Sequence, residues 1–390
     1  MLDFTFDNPT VIHFGKNSME YIAPELEARG VSKVLLVTGM GSVKKNGIFD
    51  RVIAELEKAG AGYVELSGVH PNPRVDDVRR GIAVCREFGA DLILAVGGGS
   101  VIDAAKAVAA GVLYEGDVWD FFDPGDIVPE EALPMAAVLT LAATGSEMNQ
   151  NAVITNEASG KKLAVSSPAL NPVFSVMDPR NTFTVNAYHT AAGIADIMAH
   201  VFEYYLTPMP GCQIQDSLDE AILKTCVKLG PKVLSEPCNY DARANIMWAS
   251  TLALNGISGK GKDADFTLHM IEHEVSAIND MSHGAGLAII IPNLMKVQAE
   301  KHGPELIAAY GRNVWGIGKD VDDKAAAEQA IRCTGELFAS MGLPSRLGDV
   351  GITSGDIDTI ASGALTARRT VAGLDQLTRR EIERIIELSM

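Results

Sequence analysis

The hydrophobic pattern of the chain changes near residue 184, and this change restricts the fold more than any other feature. Before it, short apolar runs such as residues 92–96 alternate with segments of helical period such as residues 75–88. Strands covered on both faces are continuously apolar, and their alternation with helices is typical of a parallel sheet. After it, apolar residues recur at helical spacing only. We therefore predict an α/β, Rossmann-like dinucleotide-binding domain over 1–184 and an all-α domain over 185–390.

The net charge argues against binding to nucleic acids or anionic membranes, and the cysteines indicate a reducing environment. The 390-residue chain has a formal net charge of -17, whereas nucleic acids and anionic membranes bind clusters of Lys and Arg. The first 16 residues contain no sustained apolar run, so we expect no signal peptide. The five cysteines are widely spaced, as is usual for reduced thiols in the cytoplasm. We expect a cytoplasmic protein that acts on a small molecule.

Two short segments near the N-terminus, residues 4–6 and 11–15, have the character of strands around a turn. An exposed pair of strands can extend a sheet or pair with a second subunit. This is the basis for expecting a homodimer.

A first pair of candidate metal ligands lies at the start of the second half. Asp196 and His200 are four residues apart in a segment of helical period, so both side chains fall on one face among apolar neighbours. A buried carboxylate without a partner costs several kcal/mol. A divalent cation is one partner that removes this cost, and imidazole with carboxylate suits iron or zinc.

Three further histidines follow within a short stretch. His269 and His273 are again one helical turn apart, and His283 precedes Gly284, where a turn would let the chain bend back. A single histidine on an apolar face is usually a structural residue. Two pairs at this spacing with a third histidine nearby favour a metal site instead.

A glycine-rich turn follows the buried strand at residues 92–96. Gly98, Gly99 and Ser100 open the next helix, where backbone N–H groups and the helix N-terminus favour a pyrophosphate. Asp103, in the first turn of that helix, either bonds a sugar or amide group or complements the helix dipole. Thr140 and Thr144 end a further apolar strand, at the sheet edge where ligands of α/β folds bind, and either can also cap a turn.

The turn after the first buried strand bears on the choice of cofactor. NAD-binding sites usually place an acidic residue near the ribose 2′-hydroxyl, and the turn at residues 38–45 has none. It has Ser42, Lys44 and Lys45, which suit a 2′-phosphate. We therefore predict NADP(H) rather than NAD(H), the alternative being two solvated lysines at a helix start.

Together these motifs resemble the group III iron-dependent alcohol dehydrogenases, in particular the butanol dehydrogenase and NADPH-dependent aldehyde reductase branch. The resemblance covers essentially the whole chain. It implies an active site in the interdomain cleft, with Fe²⁺ or alternatively Zn²⁺ held by Asp196, His200, His269 and His283. It also places His273 near the nicotinamide, where this histidine is either a proton relay or orienting group, or a structural residue that supports the metal ligands. It also implies a set of dinucleotide-binding residues: Gly41, Ser42, Asn72, Gly98, Gly99, Ser100, Asp103, Thr140, Thr144, Asn149 and Lys162.

The resulting hypothesis is an alcohol dehydrogenase or aldehyde reductase that transfers a hydride between NADP(H) and a primary alcohol or aldehyde. One rival is a metal-dependent lyase or cyclase of the dehydroquinate synthase type on the same scaffold. Its phosphorylated substrate would require basic residues, yet residues 191–204 and 266–286 contain no Arg. A second rival is a metal- and nucleotide-binding protein without catalysis, which the complete set of candidate ligands disfavours.

Overall fold

The computed structural model describes residues 1–124, 126–264, 266–367 and 376–390. The chain forms two compact units, which we call the α/β unit and the helical unit. The α/β unit consists of Asp7–Val185 and Cys238–Met247. The helical unit consists of Met1–Phe6, Asn186–Pro237 and Trp248–Met390.

The α/β unit is built on a six-stranded sheet in which every pair of neighbouring strands is parallel. The order of the strands is β1-β8-β5-β4-β2-β3, and β6 and β7 form a separate antiparallel pair. The strands are β1 (Val11–Phe14), β2 (Lys33–Gly39), β3 (Gly62–Val69), β4 (Leu92–Gly97), β5 (Met135–Leu139), β6 (Asn151–Asn156), β7 (Lys161–Ser166) and β8 (Phe174–Met177). The predicted parallel sheet is confirmed.

Alternate residues of the middle strands enter two separate hydrophobic clusters. Leu35 and Ile93 belong to one cluster, and Leu36 and Leu94 belong to the other. Both faces of the sheet are therefore covered, which explains the uninterrupted apolar runs in the sequence. The helices of this region are α1 (Ile22–Ala28), α2 (Ser42–Lys45), α3 (Ile48–Lys58), α4 (Val75–Phe88) and α5 (Gly99–Leu113).

The described chain after Val185 contains helices and no strand of the sheets. This confirms the predicted helical second half. The helices are α6 (Ala187–Tyr205), α7 (Gln213–Ser235), α8 (Tyr240–Leu254), α9 (Thr267–Asn279), α10 (His283–His302), α11 (Glu305–Tyr310), α12 (Asp323–Ser340), α13 (Ile357–Ala367) and α14 (Arg379–Ser389). In the part of the chain that the structure describes, no helix combines the length and hydropathy that crossing a bilayer requires.

The N-terminal segment differs from the prediction of two paired strands. Residues 4–6 form no strand, and Leu2 donates its backbone N–H to the Gly261 carbonyl of the helical unit. Only Val11–Phe14 is a strand, and it pairs in parallel with Phe174–Met177 at the edge of the sheet. The expected hairpin was wrong because the two segments find separate partners in the two units.

Candidate metal centre and dinucleotide site

Helix α6 carries the first two predicted metal ligands. It begins after Asn186, whose side chain accepts the backbone N–H of His189 at 2.8 Å. One face of α6 then brings Nδ1 of His200 to 3.6 Å from Oδ1 of Asp196. Both residues are buried.

Helices α9 and α10 bring two more imidazoles to the same carboxylate. Nε2 of His269 lies 4.0 Å from Oδ1 of Asp196, and Nε2 of His283 lies 3.7 Å from it. Aromatic ring centroids of His200 and His269 are 4.5 Å apart. The structure thus brings together all four residues that the resemblance implies as ligands.

His283 does not lie in the turn expected from the glycine beside it. It is the first residue of α10, and Gly284 is helical. A Cβ atom at position 284 would overlap the carbonyl oxygen of Ala192 in α6. The glycine is therefore required for the close approach of α10 to α6, and this approach carries His283 to Asp196.

The donor set fits a divalent cation. Nδ1 of His200 and Nε2 of His269 are buried and have no hydrogen-bond partner among the residues that the structure describes. Burial lowers the pKa of His200 well below its usual range, and the neighbouring His269 and His283 lower it further. A neutral imidazole keeps the lone pair that a metal requires. Three imidazoles and one carboxylate suit Fe²⁺ or Zn²⁺.

Two buried glutamates hold the imidazoles in place. Glu203 accepts hydrogen bonds at 2.8 Å from Nδ1 and at 2.9 Å from the backbone N–H of His269. Glu272 accepts a hydrogen bond from Nδ1 of His283 and another from the hydroxyl of Ser276. A carboxylate on the outer nitrogen fixes the tautomer of a ligating histidine and raises its basicity.

These glutamates also affect the protonation of the cluster. Burial alone would lower the pKa of His269, but the hydrogen bond and charge of Glu203, together with the charges of Asp196 and Glu272, raise that pKa. Sequence reasoning missed both glutamates, although Glu203 lies three residues after His200 and Glu272 lies three residues after His269. A buried glutamate at helical spacing from a candidate ligand is the signal that would have found them.

His273 is adjacent to this cluster. It is buried on α9, one turn after His269, and its ring centroid lies 5.5 Å from that of His283. Nitrogen or oxygen atoms of His273, Glu272 and His283 lie within 4.8 Å of one another. The structure therefore places His273 beside the predicted ligands.

The glycine turns of the α/β unit lie where the strand order reverses. In the sheet, β3 lies on one side of β2, whereas β4, β5 and β8 lie in succession on its other side. The crevice at the carboxyl ends of such strands is the usual ligand site of open α/β sheets. Gly41 and Ser42 follow β2, and Gly98, Gly99 and Ser100 follow β4, so the structure brings both predicted turns to this point.

The turn after β4 is packed tightly against the segment after β5. A Cβ atom at Gly99 would lie 2.5 Å from the side chain of Thr144, so this position requires glycine. The Thr144 hydroxyl accepts a hydrogen bond from the backbone N–H of Ser146 at 3.2 Å. Thr144 therefore caps a turn, which was one of the two roles considered for it from the sequence. Thr140 donates its backbone N–H to the Gly97 carbonyl at 3.0 Å. Thr140 and Thr144 therefore lie beside the turn.

Asp103 has contacts within the protein that the sequence did not reveal. One carboxylate oxygen accepts the Ser146 hydroxyl at 2.6 Å, and the other accepts the backbone N–H of Val153 at 3.0 Å. Asp103 thereby ties α5 to the segments that precede and form β6. Because α5 begins at Gly99, Asp103 lies beyond the first turn of the helix, so the predicted position for a helix-dipole role was wrong.

Asn149 is held by a buried lysine that sequence reasoning missed. The Lys106 ammonium donates to the Asn149 side chain at 2.9 Å, to its carbonyl at 2.8 Å and to the Asn151 carbonyl at 2.8 Å. Burial lowers the pKa of Lys106 to about 8, against the opposing effect of Asp103 and Glu147. A lysine within the apolar pattern of α5 was the available signal.

The remaining two predicted cofactor residues lie near each other. Asn72 has a φ of 50°, a left-handed conformation that asparagine tolerates better than most residues. Lys162 is buried on β7 opposite Thr155, whose backbone N–H donates to the Pro73 carbonyl at 2.8 Å. The antiparallel pair therefore carries Lys162 to the loop that contains Asn72.

Comparison with known proteins defines the class. Residues 9–179 match the family "Iron-containing alcohol dehydrogenase", and residues 190–390 match "Fe-containing alcohol dehydrogenase family, C-terminal". The chain belongs to the iron-containing alcohol dehydrogenase family. It is accordingly a nicotinamide-dependent alcohol oxidoreductase, which confirms the predicted enzyme class.

Two relatives and one solved structure show which members of the family this chain resembles. The chain is 46% identical to the NADH-dependent butanol dehydrogenase A of Clostridium acetobutylicum, with 100% of both chains covered. It is 38% identical to the NADPH-dependent aldehyde reductase YqhD of Escherichia coli, over 92% of each. The crystal structure of NADH-dependent butanol dehydrogenase A from Thermotoga maritima superposes with a TM-score of 0.93 at 38% identity, covering 99% of this chain and 98% of that one.

Proposed function

We propose that this protein interconverts a primary alcohol of the butanol type and its aldehyde, with NADP(H) as the preferred hydride carrier. The observation that carries the proposal is the buried cluster around Asp196, in which nitrogen atoms of His200, His269 and His283 approach one carboxylate oxygen within 4.0 Å. The names of the butanol dehydrogenase and aldehyde reductase relatives support the substrate class.

The site residues are part of this proposal. Asp196, His200, His269 and His283 hold the metal, with Fe²⁺ favoured by the family and Zn²⁺ as the alternative. Residues 185–390 supply this site, and residues 1–184 supply the dinucleotide site. The residues proposed to bind the dinucleotide are Gly41, Ser42, Asn72, Gly98, Gly99, Ser100, Asp103, Thr140, Thr144, Asn149 and Lys162.

The preference for NADP(H) rests on the turn after β2. That turn offers Ser42, Lys44 and Lys45 and has no acidic residue of its own. Relatives that use NADH and relatives that use NADPH both occur. The preference of this chain for NADP(H) over NAD(H) is therefore proposed from its own residues. Lys44 and Lys45 favour a 2′-phosphate.

Each proposed role follows from the contacts of this chain's own residues. When bound, the cation polarises a substrate oxygen as a Lewis acid, and the nicotinamide carries the hydride. Glu203 and Glu272 accept hydrogen bonds from Nδ1 of His269 and His283, which leaves the Nε2 lone pairs of both rings available to a cation beside Asp196. His273 donates a proton to the substrate oxygen when the aldehyde is reduced and accepts the hydroxyl proton when the alcohol is oxidised.

Assembly and location are further parts of the proposal. β1 is an edge strand with Val11 and Phe14 exposed, and such an edge supports pairing with a second copy in a homodimer. All five cysteines are free, which supports a reducing, cytoplasmic environment.

The test is butanal-dependent oxidation of NADPH by protein loaded with Fe²⁺ or with Zn²⁺. We expect turnover by the wild type and a loss of more than about 100-fold in His269→Ala, together with loss of bound metal. His189→Ala is the matched control, because His189 is an exposed histidine on α6. Absence of turnover with any primary alcohol or aldehyde would contradict the proposal.

A further inference from the structure

Glu65 contacts residues of the turn that follows β2, although it lies 21 residues after Lys44 in the sequence. It is on β3 opposite Leu36, and its carboxylate accepts the Thr38 hydroxyl at 2.7 Å. The second carboxylate oxygen accepts a hydrogen bond from the Lys44 ammonium at 2.8 Å. Only 20% of the Glu65 side chain is exposed, against 46% for Lys44.

The ion pair between Lys44 and Glu65 reduces the net positive charge at the turn that follows β2. Lys44 is one of the two lysines that, from the sequence alone, suit a 2′-phosphate. In the structure its charge is compensated by Glu65, and the buried hydroxyl of Thr38 fixes that carboxylate in position. The Glu65 carboxylate is largely buried and is therefore screened by solvent less than an exposed carboxylate, so it compensates part of the charge of the exposed Lys44.

We propose that Glu65 determines how strongly this enzyme distinguishes NADP(H) from NAD(H). By pairing with Lys44, it withholds part of the positive charge that a dianionic 2′-phosphate would meet, and so keeps NAD(H) competitive. The inference rests on the proposed function in one respect, the placement of the adenine ribose at the turn that contains Gly41 and Ser42.

The test is calorimetric titration of Fe²⁺-loaded protein with NADPH and with NADH, in the wild type and in Glu65→Gln. The glutamine keeps an oxygen that accepts the Thr38 hydroxyl and removes only the charge. We expect NADPH to bind about fivefold more tightly to the variant, because the Lys44 charge is no longer compensated. NADH affinity should change less than about twofold, since it has no 2′-phosphate.

Two further variants make the result specific. Glu57→Gln removes the same charge from an exposed position on α3 and should leave the ratio of the two affinities unchanged. Lys44→Met leaves the Glu65 carboxylate without its cation and should weaken NADPH binding by about tenfold, with little effect on NADH. Lys44 is exposed, so this variant tests the same pair even where Glu65→Gln does not fold.

The outcomes separate the inference from the proposed function. If the wild type binds both dinucleotides but the ratio of affinities is the same in Glu65→Gln and Lys44→Met as in the wild type, the inference is overturned and the proposed function stands. If the wild type binds neither dinucleotide, both are overturned.

Discussion

Two hydrogen bonds from His269 to Glu203 position the His269 imidazole among the proposed metal ligands. The glutamate on α6 accepts both Nδ1–H and the backbone N–H of the histidine on α9, so it fixes the ring and the start of that helix together. Nε2 of His269 is thereby directed to within 4.0 Å of the Asp196 carboxylate. The ligand geometry is therefore set by a residue that is not itself a proposed ligand.

Replacement of this glutamate tests that relationship. In Glu203→Gln the amide oxygen still accepts a hydrogen bond, but the charge that makes His269 more basic is lost. We expect metal affinity to fall by about tenfold or more in competition with a chelator. Glu328→Gln, at an exposed position on α12, should retain wild-type affinity. Equal affinity in both variants would mean that Glu203 does not support the site.

Gly284→Ala tests the close approach of α10 to α6. An added Cβ atom would overlap the Ala192 carbonyl, so the helices must separate and His283 must move away from Asp196. We expect a loss of about 2–4 kcal/mol in the free energy of unfolding, together with reduced metal occupancy. Chemical denaturation and metal analysis measure the two effects.

Gly335→Ala is the matched control for this substitution. Gly335 is also helical, on α12, and its added Cβ would make an ordinary contact of 3.7 Å with Pro292. We expect it to be neutral or slightly stabilising, by about 0.5–1 kcal/mol. A Gly284→Ala protein as stable and as rich in metal as Gly335→Ala would contradict the packing argument.

Lys106 gives a prediction for the dependence of stability on pH. Burial lowers its pKa to about 8 in the folded protein, from an ordinary value of 10.5. Between these values the unfolded chain binds more protons at this lysine than the folded chain, so the free energy of unfolding rises with pH. We expect wild-type stability, measured against Lys106→Met by denaturation, to increase from pH 8 to pH 10.5.

The substitution to methionine removes the titrating group while leaving all other ionisable residues in place. The difference between the two proteins therefore isolates Lys106. Below pH 8 the difference should be constant. A flat difference across the whole alkaline range would show that the folded protein does not lower the pKa of Lys106.

His273→Asn separates a catalytic role from a structural one. If His273 holds the proton exchanged with the product oxygen, kcat for butanal reduction should fall by about 100-fold or more while bound metal stays at the wild-type ratio. Metal analysis and steady-state kinetics on the same preparations measure both. A proportional loss of metal and activity would instead make His273 a supporting residue of the metal site.

The sequence predicted those parts of the site that depend on local spacing. Asp196 and His200 share a helical face whatever surrounds them, and Gly98 and Gly99 follow a short apolar run that is typical of a buried strand. His283 joins the cluster through the packing of Gly284 against Ala192, a contact between helices that no local pattern encodes. Its assignment therefore depended on resemblance.

Contacts between distant segments account for the other omissions. Glu65 and Lys44 are 21 residues apart and meet only because β3 pairs with β2. Lys106 and Asn149 are 43 residues apart and meet only because α5 packs beside the segment before β6. The N-terminal hairpin was wrong for the same reason, since alternation in residues 4–6 does not reveal which partner the segment will find.

The most direct test of the metal centre is anomalous diffraction at the iron absorption edge from crystals of protein loaded with Fe²⁺. We expect one strong peak within about 2–2.3 Å of the ligand atoms of Asp196, His200, His269 and His283. Absence of a peak among these four residues, with iron bound elsewhere in the protein, would contradict this expectation.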